Sequence, residues 1–174
     1  EASTYGAVQV HLVGPGHLAS LRQNWARSVA GLVKSHGGKP FLTDCHTLYV
    51  GGRKNALDHI ESAYVNGCTT YSTGCHILIA DGLKGNDEVE VPVEGGEYVK
   101  AAKIGRAVMD ADVFISLTHF KGHEQAGMGG ALTNIGRGRG ARAGQRAVIH
   151  TGRGRRRRRG GAAWCAPSDE ATEV

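Results

Sequence analysis

Val113-Phe114-Ile115-Ser116-Leu117 is an apolar run, and Thr118-His119-Phe120-Lys121-Gly122-His123-Glu124 follows it directly. A run of this length and composition is typical of a strand buried in a parallel sheet. The residues behind it bring two imidazoles, an amine and a carboxylate, and residues 126–131 are rich in glycine, which lets a ligand approach the backbone closely. Because α/β proteins hold ligands at the carboxyl ends of their strands, this segment predicts both the fold class and the place of a functional site.

The rest of residues 1–136 alternates strand and helix patterns. Apolar runs at 7–13, 40–43 and 76–80 predict three further strands, and helical spacing predicts helices over 18–36, 55–66 and 98–109. Residues 87–94 alternate valine with acidic residues or proline, which indicates a short exposed strand or hairpin arm. Strands separated by helices imply a mostly parallel sheet. We therefore expect an α/β fold with flanking helices, in a three-layer αβα-like arrangement.

The net charge of +5 is distributed unevenly along the 174 residues. Residues 1–136 contain 11 Lys and Arg against 13 Asp and Glu, a net charge of −2, whereas residues 137–174 contain 10 against 3, a net charge of +7. The basic segment consists largely of Arg, Gly and Ala without periodic hydrophobicity, which is typical of disorder. We predict an α/β domain at residues 1–136 and an irregular Arg/Gly-rich tail at 137–174, either disordered or the product of a shifted reading frame.

Composition argues against two classes of protein. No apolar run is long enough to span a membrane, so we expect no membrane partner. The four cysteines are too few and too scattered for a disulfide scaffold, and none belongs to a Cys-x-x-Cys pair; they are Cys45, Cys68, Cys75 and Cys165. We therefore expect a protein of the reducing cytoplasm.

Two carboxylates follow predicted strands. Asp44 ends the second strand and Asp81 follows the third. Because the carboxyl ends of parallel strands share one edge of a sheet, these residues and the segment from His119 are expected to converge there. The alternative is that each carboxylate only caps a turn or a helix.

His119 and His123 are candidate metal ligands. Two imidazoles with a carboxylate such as Asp44 suit zinc or ferrous iron. We predict Lys121, Glu124 and Asp81 as catalytic residues, with Lys121 contacting an anionic substrate or carrying a proton. In the alternative interpretation, these histidines and the lysine bond only to loop carbonyls. The adjacent Cys45 and His46 are a weaker candidate pair of ligands.

Two glycine-rich segments are candidate sites for an anion. Gly14-Pro15-Gly16-His17-Leu18-Ala19 formally fits the phosphate turn of dinucleotide-binding proteins, with Asp44 as the ribose ligand, although Pro15 removes one backbone amide. Gly127, Gly129 and Gly130 are expected to offer backbone amides to an anion or cofactor, together with Asn134.

Several motifs together resemble the domain-of-unknown-function 362 family over roughly residues 7–145. They are Gly37-Gly38-Lys39-Pro40-Phe41-Leu42-Thr43-Asp44, Thr47-Leu48-Tyr49-Val50-Gly51-Gly52-Arg53-Lys54-Asn55-Ala56 with His59, Ala80-Asp81-Gly82-Leu83-Lys84-Gly85, and Leu117-Thr118-His119-Phe120-Lys121-Gly122-His123 through Gly129-Gly130-Ala131-Leu132-Thr133-Asn134-Ile135-Gly136. The resemblance implies an iron–sulfur-associated protein, because members often carry a ferredoxin-like module after this domain. It implies no particular reaction.

The chain departs from the family pattern near residue 133. Where the pattern usually reads Lys-Asn-Leu-Gly-Met-Gly-Cys, this sequence has Thr133-Asn134-Ile135-Gly136-Arg137-Gly138-Arg139, and Gln145 stands where a lysine is usual. No cysteine motif follows, and Cys165 alone does not hold a cluster. We therefore expect no iron–sulfur cluster within this chain.

These observations predict a metal-binding or redox-associated protein with its site at the carboxyl ends of the strands. A metal-dependent oxidoreductase or hydrolase and an electron-transfer partner are both compatible with the residues. The first alternative is RNA binding through the arginine-rich tail, since arginine binds phosphate backbones. The second is a dinucleotide or other phosphate ligand at the turn that contains Gly14 and Gly16.

Overall fold

Four parallel strands form the central sheet of the computed structural model, which describes residues 3–12, 20–48, 51–96, 99–123 and 127–145. The strands are β1 (Tyr5–Val10), β2 (Lys39–Asp44), β3 (His76–Ile79) and β6 (Val113–Leu117), in the order β3-β2-β1-β6. Val8 of β1 is aligned with Leu42 on one side and Ile115 on the other. The predicted parallel sheet and its four strands are confirmed.

Helices α1 (Gln23–Ser35) and α2 (Ala56–Val65) cover one face of the sheet, with the single turn α3 (Thr70–Thr73) between α2 and β3. Asn55 begins α2, because its side chain accepts a hydrogen bond from the backbone N–H of Asp58 at 3.0 Å. Apolar side chains of the strands meet small residues of the helices in one buried cluster, which contains Val8, Val10, Leu42, Ile77, Ile79, Ala26, Ala30 and Ala63. The alanines let the helices approach the sheet closely.

The opposite face is covered by a hairpin and two helices. Strands β4 (Glu88–Pro92) and β5 (Ala101–Gly105) pair antiparallel, as expected for a hairpin arm, and α4 (Arg106–Met109) follows. Helix α5 (Ala131–Arg139) packs near β1, β2 and β6. A second buried cluster consists of Cys45, Ala80, Ile104 and Val108. The parallel sheet therefore has helices on both faces, which confirms the predicted α/β class.

The predicted helix over residues 98–109 is wrong for most of its length. Ala101–Gly105 is a strand, and only Arg106–Met109 is helical. The backbone groups of Val89 and Val91 need a partner strand, and residues opposite them supply it, since Val89 aligns with Ile104 and Val91 with Ala102. Pairing with the neighbouring arm therefore overrides local helix propensity.

The segment after β6 differs from the expected loop. It forms a short hairpin of β7 (Lys121–His123) and β8 (Gly127–Gly129), and α5 then crosses the domain boundary predicted at residue 136. Beyond the helix, Ala141 is fully buried, and its N–H donates to the carbonyl of Lys103 at 2.9 Å. The folded part therefore continues to residue 145, and the rest of the predicted tail lies outside the described residues. Among the described residues, no helix has the length and apolar character needed to cross a membrane.

Candidate functional site

The strand order fixes where a ligand site is expected. β2 and β3, which follow β1 in the chain, lie on one side of it, whereas β6 lies on the other side. The order in which strands are added therefore reverses between β1 and β6. In open α/β sheets, ligands bind outside the carboxyl ends of the strands at such a switch point. Asp44, Asp81, His11 and His46 lie at or just after the carboxyl ends of β1, β2 and β3, and His59 reaches the same edge from α2.

Asp44 is the centre of this group. Its side chain is buried, and both of its oxygens accept backbone hydrogen bonds at 3.0 Å, Oδ2 from Leu12 and Oδ1 from Cys45. The same Oδ2 lies 3.5 Å from Nδ1 of His11 and 3.7 Å from Nε2 of His59. The carboxylate therefore joins the end of β1, the end of β2 and the middle of α2.

The two imidazoles control the charge of Asp44. Burial by itself would raise the pKa of this carboxyl, but the contacts with His11 and His59 outweigh burial and hold the pKa well below its usual value of 3.8. Asp44 is thus an ionised carboxylate in a buried position. Its charge also acts on Arg53, whose pKa is lowered by burial and partly restored by the nearby carboxylate.

Asp81 and His46 form a second buried pair. Both side chains are fully buried, and Nδ1 of His46 lies 2.5 Å from Oδ1 of Asp81. The backbone N–H of His46 also points to this carboxylate, 3.1 Å from Oδ1 and 3.2 Å from Oδ2. Asp81 therefore fixes the orientation of the ring and holds a proton on Nδ1, which leaves a lone pair on Nε2 whenever the imidazole is neutral.

His59 connects the two carboxylate pairs. Its ring centroid is 5.8 Å from that of His46, with the rings edge-on at 63°. In the order Asp81, His46, His59, Asp44, His11, two adjacent imidazoles lie between two carboxylates and a third imidazole lies at the outer end; we call this group the Asp–His row. Four of its members are buried, whereas the side chain of His11 is 32% exposed. The row leads from the interior, at Asp81 and His46, to the partly exposed His11 after β1.

Several ring nitrogens of the Asp–His row have no hydrogen-bond partner among the described residues, although they are buried. They are Nδ1 of His11, Nε2 of His46, and both Nδ1 and Nε2 of His59. Buried polar atoms in folded proteins are nearly always paired, so each of these calls for a ligand, an ordered water or a functional role.

Helix α5 covers the row from the second face of the sheet. A Cβ atom on Gly138 would lie 2.4 Å from Nε2 of Gln9 and 3.0 Å from Oδ1 of Asp44, so only glycine permits this approach. Gln9 is itself buried and accepts a hydrogen bond from the hydroxyl of Ser116 at 2.8 Å. Farther on, the amide nitrogen of Gln145 donates to the carbonyl of His46 at 2.7 Å. Residues 138–145 therefore belong to the wall of the site.

The three described cysteines are divided between the two faces of the sheet, and the expectation of no iron–sulfur cluster within the chain stays a prediction. Cys45 lies beside the row, where burial and the charges of Asp81 and Asp44 raise the pKa of its thiol well above the usual value. The other described cysteines, Cys68 and Cys75, are buried in the opposite core cluster. Within the described residues, no group of three or more His, Cys, Asp or Glu is arranged to hold a metal ion.

The predicted site residues are placed as follows. Asp44 and Asp81 both lie at the carboxyl edge of the sheet, where each accepts backbone hydrogen bonds and faces an imidazole. His119 is exposed after β6 and has no described contact with Asp44, while Gly130 precedes α5 and Asn134 lies within it. Gly127 and Gly129 lie in β8. Outside the described part of the chain lie Glu124, the segment with Gly14 and Gly16, and the side chains of Lys121 and His123. The metal site from His119, His123 and Asp44 stays a prediction.

Sequence reasoning missed the histidines of the row. His11 was not singled out, although it follows an apolar strand directly, as Asp44 does. His46 was considered only with the thiol of Cys45, and His59 only as part of a family motif. The available signal for His59 was its spacing, because it lies three residues after Ala56 and four before Ala63, on the face of α2 that packs against the sheet.

Comparison with known proteins fits this architecture. The profile of the family described as domain of unknown function (DUF362) matches residues 7–166. The chain belongs to this family. The match extends past residue 136, in agreement with the packing of α5, and it assigns no reaction, metal or iron–sulfur centre. No curated protein and no solved structure is significantly similar to the chain.

Replacement of Asp44 by Asn is predicted to destabilise this DUF362 domain by about 3 kcal/mol at neutral pH, since it removes a buried charge partner of two imidazoles. The pKa of Asp44 is lowered on folding, so its contribution is present above the usual value of 3.8 and is lost as the pH falls below it. Urea unfolding of both proteins at neutral pH and at about pH 3 measures the change.

The control is Asp110→Asn, which changes an exposed carboxylate. It should alter the free energy of unfolding by less than about 0.5 kcal/mol at either pH. A difference between wild type and Asp44→Asn that stays constant on acidification would contradict the low pKa assigned to Asp44.

Proposed function

We propose that this domain is an enzyme domain that transfers a proton to or from a small ligand at the carboxyl edge of the sheet, with His11 as the acid–base residue. The observation that carries the proposal is the position of Asp44, an ionised and buried carboxylate between two imidazoles, one of which reaches the surface. Imidazole beside a fixed carboxylate is a common arrangement for general acid–base catalysis.

The geometry supports a division of roles along the Asp–His row. Asp44 faces Nδ1 of His11, and the exposed part of that side chain is available to a ligand. The backbone donors Leu12 and Cys45 keep the carboxylate in place, so Asp44 acts as a positioning residue. Asp81 has the same role for His46 deeper in the row. His59 and His46 lie deeper in the row than His11, so further basic groups are near the residue at which protons are exchanged.

A purely structural role explains the row less well. A polar network that served only to join the strands would be expected to pair its buried atoms, because every unpaired atom costs free energy. In the Asp–His row, Nδ1 of His59 has no hydrogen-bond partner among the described residues, and its Nε2 faces Asp44 at 3.7 Å, beyond hydrogen-bond distance. Unpaired basic nitrogens are what a proton-transfer site or a ligand site requires.

Proton exchange is testable without knowledge of the full reaction. We expect the wild-type protein, incubated in D₂O with a panel of small phosphorylated and carboxylated carbonyl compounds, to remove the C–H signal next to the carbonyl of at least one compound in proton NMR spectra. His11→Gln should slow this exchange by at least about 100-fold, the usual contribution of general acid–base catalysis. The matched control is His36→Gln, an exposed histidine that follows α1.

The proposal fails if the wild type exchanges no proton of any compound, or if His11→Gln and His36→Gln exchange at the wild-type rate. Circular dichroism and thermal unfolding of each variant separate a loss of exchange from a loss of folding.

Binding of a divalent metal is the second candidate function, and the unpaired nitrogens of His46 and His59 favour it. An imidazole whose other nitrogen is held by a carboxylate is typical of metal ligands, and His46 with Asp81 has this arrangement. Zinc or iron bound there would supply a Lewis acid or a redox centre, in keeping with the metal-binding or redox-associated role predicted from the sequence. The third ligand of the metal would have to come from a residue other than His46 and His59.

Metal content decides between the two predicted metal sites. We expect protein purified without oxygen and without a histidine tag to contain nearly stoichiometric zinc or iron if this candidate is right. Loss of metal in folded His59→Gln would support the Asp–His row, whereas loss only in the His119→Gln, His123→Gln double variant would support the loop after β6. A wild type free of zinc and iron would contradict both metal sites.

Two further predicted functions, RNA binding through the tail and binding of a dinucleotide at Gly14 and Gly16, rest on residues outside the described ranges. Both stay predictions. The cytoplasmic location also stays a prediction.

A further inference from the structure

We infer that the ligand of this edge is a small oxyanion, a phosphate or a carboxylate, and that Arg53 and Arg142 bind it beside His11. The inference rests on the proposed function for the position of the reacting group, and it adds the class of the ligand and two binding residues.

Arg53 is held next to the acid–base residue. Its Nη1 donates to the carbonyl of Leu12 at 2.9 Å, and Leu12 directly follows His11. Only one of its five N–H groups is used by this bond. The guanidinium is half-buried at the mouth of the Asp–His row, where a low dielectric strengthens its attraction for an anion.

Arg142 reaches the same rim from the segment after α5. Its Nη1 lies 3.5 Å from the carbonyl of Lys54, the residue after Arg53. Its aliphatic part lies against Gly85, where an added Cβ would be 3.1 Å from Cβ of Arg142. Its Nε is buried without a hydrogen-bond partner in the described residues. Arg142 therefore approaches the backbone of the residue that directly follows Arg53.

Neither Arg53 nor Arg142 forms a salt bridge in the described ranges, although the charge of Asp44 acts on Arg53 from a longer distance. Asp44 and Asp81 are paired with histidines, Glu88 with Lys103, and Asp87 with Arg106. In the described ranges, no carboxylate lies within salt-bridge distance of Arg53 or Arg142. Partly buried guanidinium groups without an anion are costly. A planar fork of N–H donors suits phosphate and carboxylate, which accept two hydrogen bonds at once.

Isothermal titration with inorganic phosphate, and separately with succinate, at constant ionic strength tests this inference on the full chain. We expect the wild type to bind at least one of the two anions, and Arg142→Gln to bind it at least about tenfold more weakly, as expected for loss of a charge-assisted hydrogen bond. Lys39→Gln is the control, because Lys39 is an exposed cation at the start of β2, at the opposite end of the strand from Asp44.

Arg53→Lys is the second variant, chosen because it keeps the charge and the aliphatic chain of a half-buried residue. It should fold and still bind more weakly than the wild type, since a lysine lacks the fork of donors. Binding of phosphate alone, or of succinate alone, assigns the ligand class.

Two outcomes overturn the inference: no binding of either anion by the wild type, or an equal loss of affinity in Lys39→Gln. Failure of this inference and failure of the proposed function are separate results. Proton exchange that depends on His11 without anion binding removes only the arginine site, and anion binding without exchange removes only the acid–base role.

Discussion

The carboxylate of Asp44 is the interaction on which the site depends. One charged group, fully enclosed, accepts the backbone N–H groups of Leu12 and Cys45 and contacts the imidazoles of His11 and His59. Removing a charge from water is expensive, and such a group persists only when hydrogen bonds and opposite charge compensate for the loss of hydration. The same contacts that keep Asp44 ionised also bring the ends of β1 and β2 together with α2, so folding and the chemistry of the edge share one cause.

The surrounding elements fit this constraint. Asp81 holds His46 by hydrogen bonds, and the ring of His46 lies edge-on to the ring of His59. Helix α5 closes over the carboxylate because Gly138 has no side chain to strike Gln9 or Asp44. The segment that follows α5 also lines the site, and it places Arg142 next to the carbonyl of Lys54. The chain thus places an acid–imidazole row in the interior, and we propose that Arg53 and Arg142 bind a small anion beside it.

Much of the fold was predictable, because each of the four parallel strands contains an apolar run that identifies it from its own residues. The strand Ala101–Gly105 was not, since its conformation depends on pairing with Glu88–Pro92. Helix α5 was missed for a related reason: two of its nine residues are glycines, Gly136 and Gly138, so contacts with β1, β2 and β6 stabilise it and not local propensity. Asp44 and Asp81 were predictable as polar residues behind strands, whereas the partnership of His59 with Asp44 joins a helix to a strand end and is visible only in three dimensions.

The ionisation state of Asp44 in the folded protein tests the account most directly. Carbon-13 NMR of the Asp44 carboxyl during acidification would report it, with unfolding followed in parallel by circular dichroism. The account predicts that the Asp44 signal stays at the position of an ionised carboxylate for as long as the protein remains folded, including below the usual pKa of 3.8. A titration step of Asp44 at or above that value in the folded protein would contradict the account, because His11 and His59 would then not be holding a buried charge.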